Sequence, residues 1–515
     1  MAHIIRDSFD FYSTVNDAQT LWSVMGGTGT SLVRGRFLPG QAFAVSSSAA
    51  NINLQYTSSG NVTTWFIHVS VFRSTAFSGS SAQSVLKLVL RDAATDQMAI
   101  HFREDGAIET TRGSVLGTNT VDTWTSAWVA QTWTHFEIKV VINNSTGSIE
   151  FRKDGATSAD HSASSLNIRA TSNNFAQTFQ VVSGTHGVTS IGQAYLDDLW
   201  VYDDSGSAPN GFIGDVRAIP LMPNADTADA DFTPLTSGGT AGTTITGGNS
   251  GTINADTIYW EQFVAPIGGL LSGSVTVNVN TALTGKAKLA IYDSDAYDET
   301  NSEENPKTLL TTSNEVTNPG TGNQTFTFAS PPTLRKGRKY FWAMLIDTTR
   351  TTFLTTDTTT GSHTRFTASN TYVSGFPTTA PTLTRVALQR DFTINTSIAS
   401  SHFGNVNEDV QDGATSYVQS SNIADVDLYN LFDLASTPTS IFGVSVRSVM
   451  AKSDAGARGG QVEIKSGSTV TDLTAKNLST TFTHYSDTQD TDPDTSAAWT
   501  ATGVNSLKIG PKVAS

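Results

Sequence analysis

Cysteine is absent from this 515-residue chain. Its absence excludes a disulfide framework, a thiolate zinc site and a cysteine nucleophile. No segment approaches the run of about 18–20 apolar residues that crosses a bilayer, so membrane insertion is not expected. Charged residues make up only 15% of the chain, whereas 26 Phe, 9 Trp and 12 Tyr need burial. A chain that is polar through neutral side chains and also aromatic fits β-sandwiches with many turns, and fits disorder poorly.

Basic residues are also scarce, because 31 Lys and Arg stand against 46 Asp and Glu, for a formal net charge of −15. An acidic surface repels nucleic-acid phosphates, so a nucleic-acid partner is not expected. The opening residues, MAHIIRDSFDFYST, lack a basic region followed by an apolar stretch. They do not have the pattern of a secretion signal, and we expect synthesis in a cytoplasm.

Catalytic motifs are missing as well: we find no His-Glu-x-x-His, no Gly-x-Ser-x-Gly and no phosphate-binding loop. The nearest approach to the Glu-x-Asp-x-x-Glu strand of β-glucanases runs from Glu104 to Glu109, but Gly106 takes its third position. We interpret this stretch as an exposed hairpin turn. His68 and His135 fall in strand patterns and are expected to be exposed on one side of a sheet. The sequence therefore predicts no catalytic residue and no enzyme.

What is present throughout is alternation with period two, the pattern of half-buried strands. In residues 133–142, every second side chain from Phe136 to Ile142 is apolar, and the opposite face carries His135 and Glu137. The same alternation occurs in residues 84–92 and 274–279. The pattern predicts an all-β chain with almost no helix.

Segments in the first part of the chain resemble the concanavalin-A-like, or laminin-G-like, jelly roll. They are the opening DSFDFYSTVNDAQTLW, the hairpin FEIKVVINNSTGSIEFRKDG and the closing YLDDLWVYDD, which together span residues 7–204. The resemblance implies a two-sheet β-sandwich over this part of the chain.

Segments from two separated parts of the remaining chain resemble the C-terminal half of a family of tailed-bacteriophage structural proteins, in which this half follows a concanavalin-like half. They are GFIGDVRAIPLMPNADTADADFTP, SYVQSSNIADVDLYNLFDL, RSVMAKSDAGARGGQVEIKSGST and HYSDTQDTDPDTSAAWTATGVNSLKIGPKV. The family pattern breaks near Thr236 and resumes near Ser401. We interpret the intervening residues as a domain inserted into a surface loop, a kind of site that tolerates insertion.

The insert has strand patterns of its own, and its phrase PPTLRKGRKYFWAML resembles a small jelly-roll module of phage and bacterial surface proteins that often accompanies carbohydrate-binding functions. The fold class predicted is therefore an all-β, multi-domain chain of β-sandwiches and jelly rolls, with one domain discontinuous because of an inserted β domain. The predicted boundaries are 1–204 for the concanavalin-A-like domain, 205–210 for a linker, 211–236 with 401–515 for the discontinuous phage-type domain, and 237–400 for the inserted module with flexible flanks.

Two groups of residues are candidates for ligand contacts. Trp124 and Trp128 lie in a loop-like stretch, where exposed rings could stack on sugars. A cluster of carboxylates could supply the oxygen ligands of calcium, the one cofactor the sequence suggests. The cluster comprises Asp293, Asp295, Asp298, Glu299, Glu303 and Glu304. Its spacing is not that of an EF-hand, so a solvated acidic loop without metal is the alternative.

A further acidic group is interpreted as structural. Asp197 and Asp198 with Asp203 and Asp204 have the pattern of an edge strand followed by a turn. Concanavalin-like folds sometimes hold calcium near such places, which keeps a metal site as the alternative.

The resemblances imply a non-enzymatic structural component of a bacteriophage virion, made in the host bacterial cytoplasm, with a tail fibre or tail tip as the first hypothesis. Its partners would be other virion proteins, further copies of itself and a host-surface glycan; fibre proteins are commonly homotrimers. A head decoration, collar or head-fibre protein is the second hypothesis. A carbohydrate-active enzyme such as a polysaccharide depolymerase is the third, and it would need a pair of carboxylates facing a groove.

Overall fold

The computed structural model describes residues 3–12, 14–15, 17, 21–25, 30–37, 40–45, 52–77, 83–184, 193–205, 210–235, 239–241, 249–298, 303–356, 365–385, 394–399 and 401–515. Within these residues the regular secondary structure is almost entirely β, with 52% in strands and 3% in helices, so the prediction of an all-β fold is confirmed. The helical elements of this described part are a short α-helix, α1 (Ala501–Asn505), and 3₁₀ turns at Tyr372–Ser374 and Phe403–Asn405. None of its helices is long and apolar enough to cross a membrane.

The chain divides into two compact units. Unit 1 contains residues 1–220, 444–451 and 483–488. Unit 2 contains residues 221–443, 452–482 and 489–515. The domain boundaries predicted from the sequence cut the chain differently, and they stay a prediction.

Unit 1 is a sandwich of two antiparallel sheets. Its strands are β1 (His3–Asp7), β2 (Val24–Met25), β3 (Ser31–Arg34), β4 (Gln41–Ala44), β5 (Ile52–Val62), β6 (Thr64–Arg73), β7 (Ser84–Asp92), β8 (Thr95–Arg103), β9 (Ile108–Arg112), β10 (Thr120–Trp124), β11 (Thr134–Val141), β12 (Gly147–Lys153), β13 (His161–Leu166), β14 (Ala176–Ser183) and β15 (Ala194–Asp203). The first sheet, sheet A, has the order β13-β12-β11-β6-β15-β4-β3, with β1 also paired to β15. The second, sheet B, has the order β10-β9-β8-β7-β14-β5-β2.

The alternation read from the sequence defines the core of this sandwich. Phe136, Ile138 and Val140 of β11 are fully buried and face the apolar residues of sheet B, among them Leu86 and Leu88 of β7. Burying side chains of this size contributes about 1.5–3 kcal/mol each, so this shared interior is the main source of stability for the unit.

The outer face of sheet A differs from the expectation for a solvent-facing sheet. His68, His135 and Glu137 are at most 1% exposed, so the expected exposure of the two histidines is wrong. The physical reason is that residues 211–218 lie over this face; the backbone N–H groups of Ile213 and Gly214 both donate to Glu137. Polar residues on a strand indicate solvent only when no other segment of the chain covers them.

The β8–β9 hairpin has its turn at Glu104–Gly106, as the sequence indicates, but it is not exposed. Glu104 is fully buried, and its charge is compensated there because its carboxylate pairs with Arg73 of β6. Gly106 has a φ of +81°, and a side chain there would press on the ring of Phe77, which explains the glycine on both counts.

The first strand of unit 2 belongs to a small sheet, and the chain then continues into residues 237–400. The strands up to residue 398 are β16 (Pro223–Ala230), β17 (Thr233–Pro234), β18 (Gly239–Ala241), β19 (Asn249–Ile253), β20 (Thr257–Val264), β21 (Gly269–Leu270), β22 (Ser274–Val279), β23 (Lys286–Asp293), β24 (Ala296–Asp298), β25 (Glu303–Asn305), β26 (Leu309–Thr312), β27 (Val316–Thr317), β28 (Gly322–Thr327), β29 (Thr333–Leu334), β30 (Lys339–Ile346), β31 (Arg350–Thr356), β32 (Arg365–Ser369), β33 (Thr384–Arg385) and β34 (Ile394–Ile398).

Most of the strands from β18 to β34 form a second two-sheet sandwich. One sheet has the order β18-β34-β22-β31-β19, and β28 pairs with β22. The other has the order β26-β23-β30-β20-β32-β33, and β27 pairs with β23. Val275, Val277 and Val279 face the core between the sheets, as their alternation predicts. The two ends of the insert are neighbours, because β18 and β34 pair with Gly239 opposite Ile398.

The remaining strands of the chain are β35 (Val418–Gln419), β36 (Asp427–Leu431), β37 (Val444–Met450), β38 (Gly459–Ser466), β39 (Thr469–Asp472), β40 (Lys476–Asn477), β41 (Thr483–Gln489) and β42 (Lys508–Val513). A sheet of order β16-β36-β42-β38-β39 joins the segment before the insert to the segment after it. The β37–β41 ribbon has most of its residues in unit 1, where Arg447 donates to the Tyr12 hydroxyl and to the Arg6 carbonyl.

Candidate functional site

Trp124, the first predicted ligand-contacting residue, ends strand β10 at a side of the unit 1 sandwich and is half-buried. Its indole stacks in parallel on the His161 ring, with centroids 5.5 Å apart. The Lys153 ammonium lies 5.0 Å from the ring centroid, and the His161 Nε2 lies 2.7 Å from an Asp122 carboxylate oxygen. An aromatic ring, a cation and a carboxylate thus meet at one place, a combination that can contact a hydroxyl-rich ligand through stacking and hydrogen bonds.

Trp128, the second predicted residue, lies elsewhere. Its side chain is 3% exposed and packs edge-on against Phe77 and Phe102 in the core. A ring in this place has no free face for a sugar, since both neighbouring aromatic rings belong to the packed interior. The two tryptophans therefore do not form one platform, although the sequence separates them by only three residues.

The acidic loop of unit 2 is built into ion pairs. Asp295 pairs with Arg338, and the Asp293 carboxylate accepts hydrogen bonds from the backbone N–H groups of Asp295 and Thr308. Burial and the neighbouring Asp295 charge raise the pKa of Asp293 to about 6. A carboxylate oxygen used by a guanidinium or by backbone N–H groups is not free to ligate calcium.

The next acidic residues of this loop are also paired, Glu303 with Arg385 and Glu304 with Lys339. Glu299 and the side chain of Asp298 lie outside the described residues. Across the described part of the chain, no group of three or more His, Asp or Glu side chains is arranged to hold a metal ion. The calcium prediction has no site evident in the structure, and calcium stays a prediction only.

The stretch from Glu104 to Glu109 is a network of ion pairs. The Glu104 carboxylate lies 2.6 Å from Arg73, and Arg103 reaches both Asp105, at 2.6 Å, and Glu109, at 2.9 Å. Glycoside hydrolysis needs one carboxyl that can give a proton and a second that can act as base or nucleophile. In this structure each of these carboxylates is paired with a guanidinium group.

A polar site that the sequence did not reveal lies on the outer face of sheet A. We call the residues beneath segment 211–218 the floor, and the segment itself the strap. The floor consists of Arg36, His68, His135, Glu137, Asp198 and Tyr202. One signal was available: Phe66 and Phe72 are apolar on the outward face of β6, while Trp65 and Ile67 fill the inward face, and a strand that is apolar on both faces is covered on both.

Burial shifts the pKa values of several floor residues away from their usual range. Burial and the neighbouring His135 lower the pKa of His68 well below its usual range, and burial lowers the pKa of His135 to about 4. Burial raises the pKa of Glu137 and brings that of Asp198 to about 6. Both imidazoles are consequently neutral at pH 7.

Asp197 and Asp198 occupy a different setting from the expected edge strand. Strand β15 lies between β6 and β4 in sheet A, and a bulge interrupts its pairing between Asp197 and Trp200. At this bulge Asp198 adopts a φ of +48°, which turns its carboxylate toward the backbone N–H of Ala218. The bulge thus places a carboxylate on the floor that regular alternation would place elsewhere.

No protein-family model matches the chain, and no curated protein matches it. Among solved structures, similarity is found to the catalytic domain of the glycoside hydrolase family 131 protein from Coprinopsis cinerea, with 11% identity over 42% of this chain and 99% of that chain, at a TM-score of 0.28. The Ca²⁺-bound VIP36 exoplasmic/lumenal domain shows 10% identity over 35% of this chain and 87% of that chain, at a TM-score of 0.25. The botulinum neurotoxin type G receptor binding domain shows 9% identity over 72% of this chain and 85% of that chain, also at 0.25. Likenesses of this size assign neither a family nor a function.

Proposed function

We propose that this chain is a non-catalytic structural protein of a tailed-bacteriophage particle. The assignment to a phage particle rests on the resemblance of segments within residues 211–234 and 416–513 to phage structural proteins. The non-catalytic role is supported by one observation above all. The carboxylates that come nearest to a hydrolase motif, Glu104, Asp105 and Glu109, are each paired with an arginine.

The first form of this proposal is a tail fibre or tail tip, in several copies per particle; a head decoration or collar position is the alternative. Immunogold labelling of purified particles with an antibody to the recombinant chain tests both. Gold at the tail supports the first form, and gold at the head or collar supports the alternative. Particles that carry no label, and that contain no copy of the chain by quantitative mass spectrometry, contradict the structural role.

Enzymatic activity is tested by incubating the chain with capsular and cell-wall polysaccharides and measuring reducing ends. The proposal expects no release above a buffer control. Release that disappears in Glu109→Gln, while the variant keeps the melting temperature of the parent, would establish a hydrolase and overturn the non-catalytic role. The melting temperature of this variant must be measured because the Glu109 carboxylate pairs with Arg103 and accepts hydrogen bonds from the Gly117 backbone N–H and the Thr120 hydroxyl.

A second element of the proposal is glycan recognition at Trp124, favoured by the meeting of Trp124, His161, Lys153 and Asp122 at one edge. Stacking of a sugar on an aromatic ring and hydrogen bonds of about 1 kcal/mol each give weak single-site binding. Many copies on one particle would raise it by avidity. Binding of a multivalent preparation to a glycan array should fall in Trp124→Ala and persist in Trp133→Ala, a half-buried tryptophan that packs on Phe72 instead. Equal binding by both variants would contradict a role for Trp124.

A further inference from the structure

The strap lies on sheet A without forming a strand, and the floor contacts its backbone. Glu137 Oε1 accepts hydrogen bonds from the N–H groups of Ile213, at 2.7 Å, and Gly214, at 2.8 Å. Asp198 Oδ1 accepts from the N–H of Ala218 at 2.9 Å, and the Tyr202 hydroxyl donates to the Gly211 carbonyl at 2.6 Å. Four backbone groups of one short segment are therefore bound by side chains of the sheet, in the manner of a bound peptide.

Two side chains of the strap reach defined positions. The Phe212 ring meets Phe66 edge-on at 5.7 Å, and the Arg152 guanidinium covers it at 3.8 Å. The Asp215 carboxylate accepts two parallel hydrogen bonds of 2.6 Å from Arg36. Burial alone would raise the pKa of Asp215, but these bonds outweigh it and leave that pKa below its usual value. The bidentate pair is geometrically specific for a carboxylate.

The floor also has hydrogen-bonding capacity that the strap leaves unused. His68 Nδ1, His135 Nε2 and Glu137 Oε2 are buried and have no hydrogen-bond partner among the residues that the structure describes. Buried polar atoms are almost always paired in a permanent interior, because each unpaired one costs about 1–3 kcal/mol. These atoms show that the strap uses only part of the hydrogen-bonding capacity of the floor, and the case for a recognition site rests on the backbone contacts and the Arg36–Asp215 pair described above.

We propose that the outer face of sheet A is a recognition site for an extended peptide with an aromatic residue followed three positions later by an aspartate. In this chain the strap occupies the site in cis. The glycine before the aspartate is part of the pattern, because Gly214 has a φ of +87°, which other residues rarely adopt. The same segment of a second copy of the chain is the exogenous peptide that fits.

The decisive experiment adds a fluorescently labelled peptide of residues 210–220, NGFIGDVRAIP, to the full-length chain and measures anisotropy. In the unaltered chain the covalently attached strap competes at an effective concentration in the millimolar range, so binding should be about 100-fold weaker than at a vacant site, or undetectable. In the double variant Phe212→Ala, Asp215→Ala, which loses the contact of Phe212 with Phe66 and the Asp215–Arg36 pair but keeps Arg217 over the Phe37 ring, the peptide should bind saturably.

Two controls make this binding specific. A peptide that carries the same two alanines should not bind the double variant. Adding Glu137→Gln to the double variant should weaken binding of the natural peptide at least about tenfold, because two charge-assisted hydrogen bonds are altered. The proposal is overturned if the folded double variant does not bind the peptide, or if the unaltered chain binds it equally well, since the binding would then lie elsewhere.

If the double variant does not fold, hydrogen exchange of the unaltered chain tests whether the strap opens independently of sheet A. A removable strap opens without the sheet, so the amides of Ile213, Gly214 and Ala218 should exchange faster than those of strand β11 beneath them. Exchange of these amides only together with the β11 amides would show that the strap is an inseparable part of the sandwich. That result overturns the proposal.

Discussion

Two places in this molecule hold a loop against a sandwich, and they differ in how far the backbone of the loop takes part. Both contain ion pairs, Arg36 with Asp215 being the one on the floor. On the floor of unit 1, the carboxylates of Glu137 and Asp198 accept hydrogen bonds from backbone N–H groups of the strap. In unit 2, the turn before β30 meets residues 408–412 through pairs of opposite charges, Arg335 with Asp409 and Lys336 with Asp412. We call this second place the charged junction; it also includes the Arg338–Asp295 pair.

The difference concerns what each contact requires of its partner. A carboxylate that binds a backbone N–H group places no demand on the side chain at that position except that it is not proline, so on the floor the sequence requirement comes from Phe212, Gly214 and Asp215. A charge pair away from water requires both partners, since one charge left alone there costs more than the pair contributes. Only part of the contact on the floor therefore depends on an ion pair, whereas the charged junction requires either that both partners are kept or that both are exposed to water.

The largest effect should come from removing one charge of the junction. Arg338→Met leaves Asp295 and Asp409 without their shared cation in a setting where the Arg338 side chain is only 8% exposed. We expect the free energy of unfolding of unit 2 to fall by about 2–4 kcal/mol, somewhat less than for a fully buried pair because both carboxylates reach solvent. Urea denaturation followed by circular dichroism measures the change.

The adjacent residue provides the matched control for this substitution. Lys339 pairs with Glu304 at 3.2 Å, but its side chain is 41% exposed. Lys339→Met should therefore cost no more than about 1 kcal/mol. Equal losses in the two variants would show that the junction is as well solvated as the surface.

The next effect is a pH dependence from the floor. Because the pKa of His135 is about 4 in the folded chain and about 6.5 when unfolded, the neutral imidazole contributes stability above pH 6.5 that is lost as the pH falls toward 4. Between pH 7 and pH 5 this one group should cost about 2 kcal/mol. Glu137 and Asp198, with raised pKa values, act in the opposite direction.

Replacing His135 isolates its share, because the opposing carboxylates remain in both proteins. The difference in unfolding free energy between pH 7 and pH 5 should be smaller in His135→Gln than in the unaltered chain. An unchanged pH dependence would mean that the pKa of His135 is the same in the folded and the unfolded chain, as for a solvated imidazole.

A smaller effect is expected from Glu137→Gln. The amide oxygen can still accept one backbone hydrogen bond, but the charge that strengthens both bonds is gone, at an expected cost of about 1–2 kcal/mol in unfolding free energy. Hydrogen exchange at Ile213 and Gly214 should accelerate, while exchange in β7 of sheet B stays as it was. Acceleration throughout unit 1 would indicate a general loss of stability in place of a local release of the strap.

The smallest effect on the stability of the remaining chain is expected from the largest deletion, in which a short Gly-Ser bridge replaces residues 240–395. The charges of Asp409 and Asp412 then face water, where they need no partner. The remainder of unit 2 should keep a cooperative thermal transition. A variant that aggregates, or melts without cooperativity, would show that the inserted residues are integral to the unit.

The sequence was informative where a pattern is local. Alternation placed Phe136 and Val277 in their cores, and the turn at Gly106 lies where its residues indicate. It failed where a distant segment decides the environment. The residues next to Glu104 in the sequence do not indicate its partner Arg73, which lies thirty-one positions earlier. The residues next to His135 likewise do not indicate that the strap covers it. Trp124 and Trp128 look alike in sequence, yet only one of them lies at an edge of the sandwich.

The pairing of β18 with β34 has a consequence for how such a chain can change over evolutionary time. Because Gly239 and Ile398 are partners across an antiparallel ladder, the points where the inserted chain leaves and re-enters are about 5 Å apart. In the surrounding chain the module therefore spans the same short distance that a hairpin turn spans. The entropic cost of closing a loop grows only slowly with the length of the loop. One module could be exchanged for another of different size without moving the ends of the surrounding chain, although Asp409 and Asp412 would lose the cations that Arg335 and Lys336 supply.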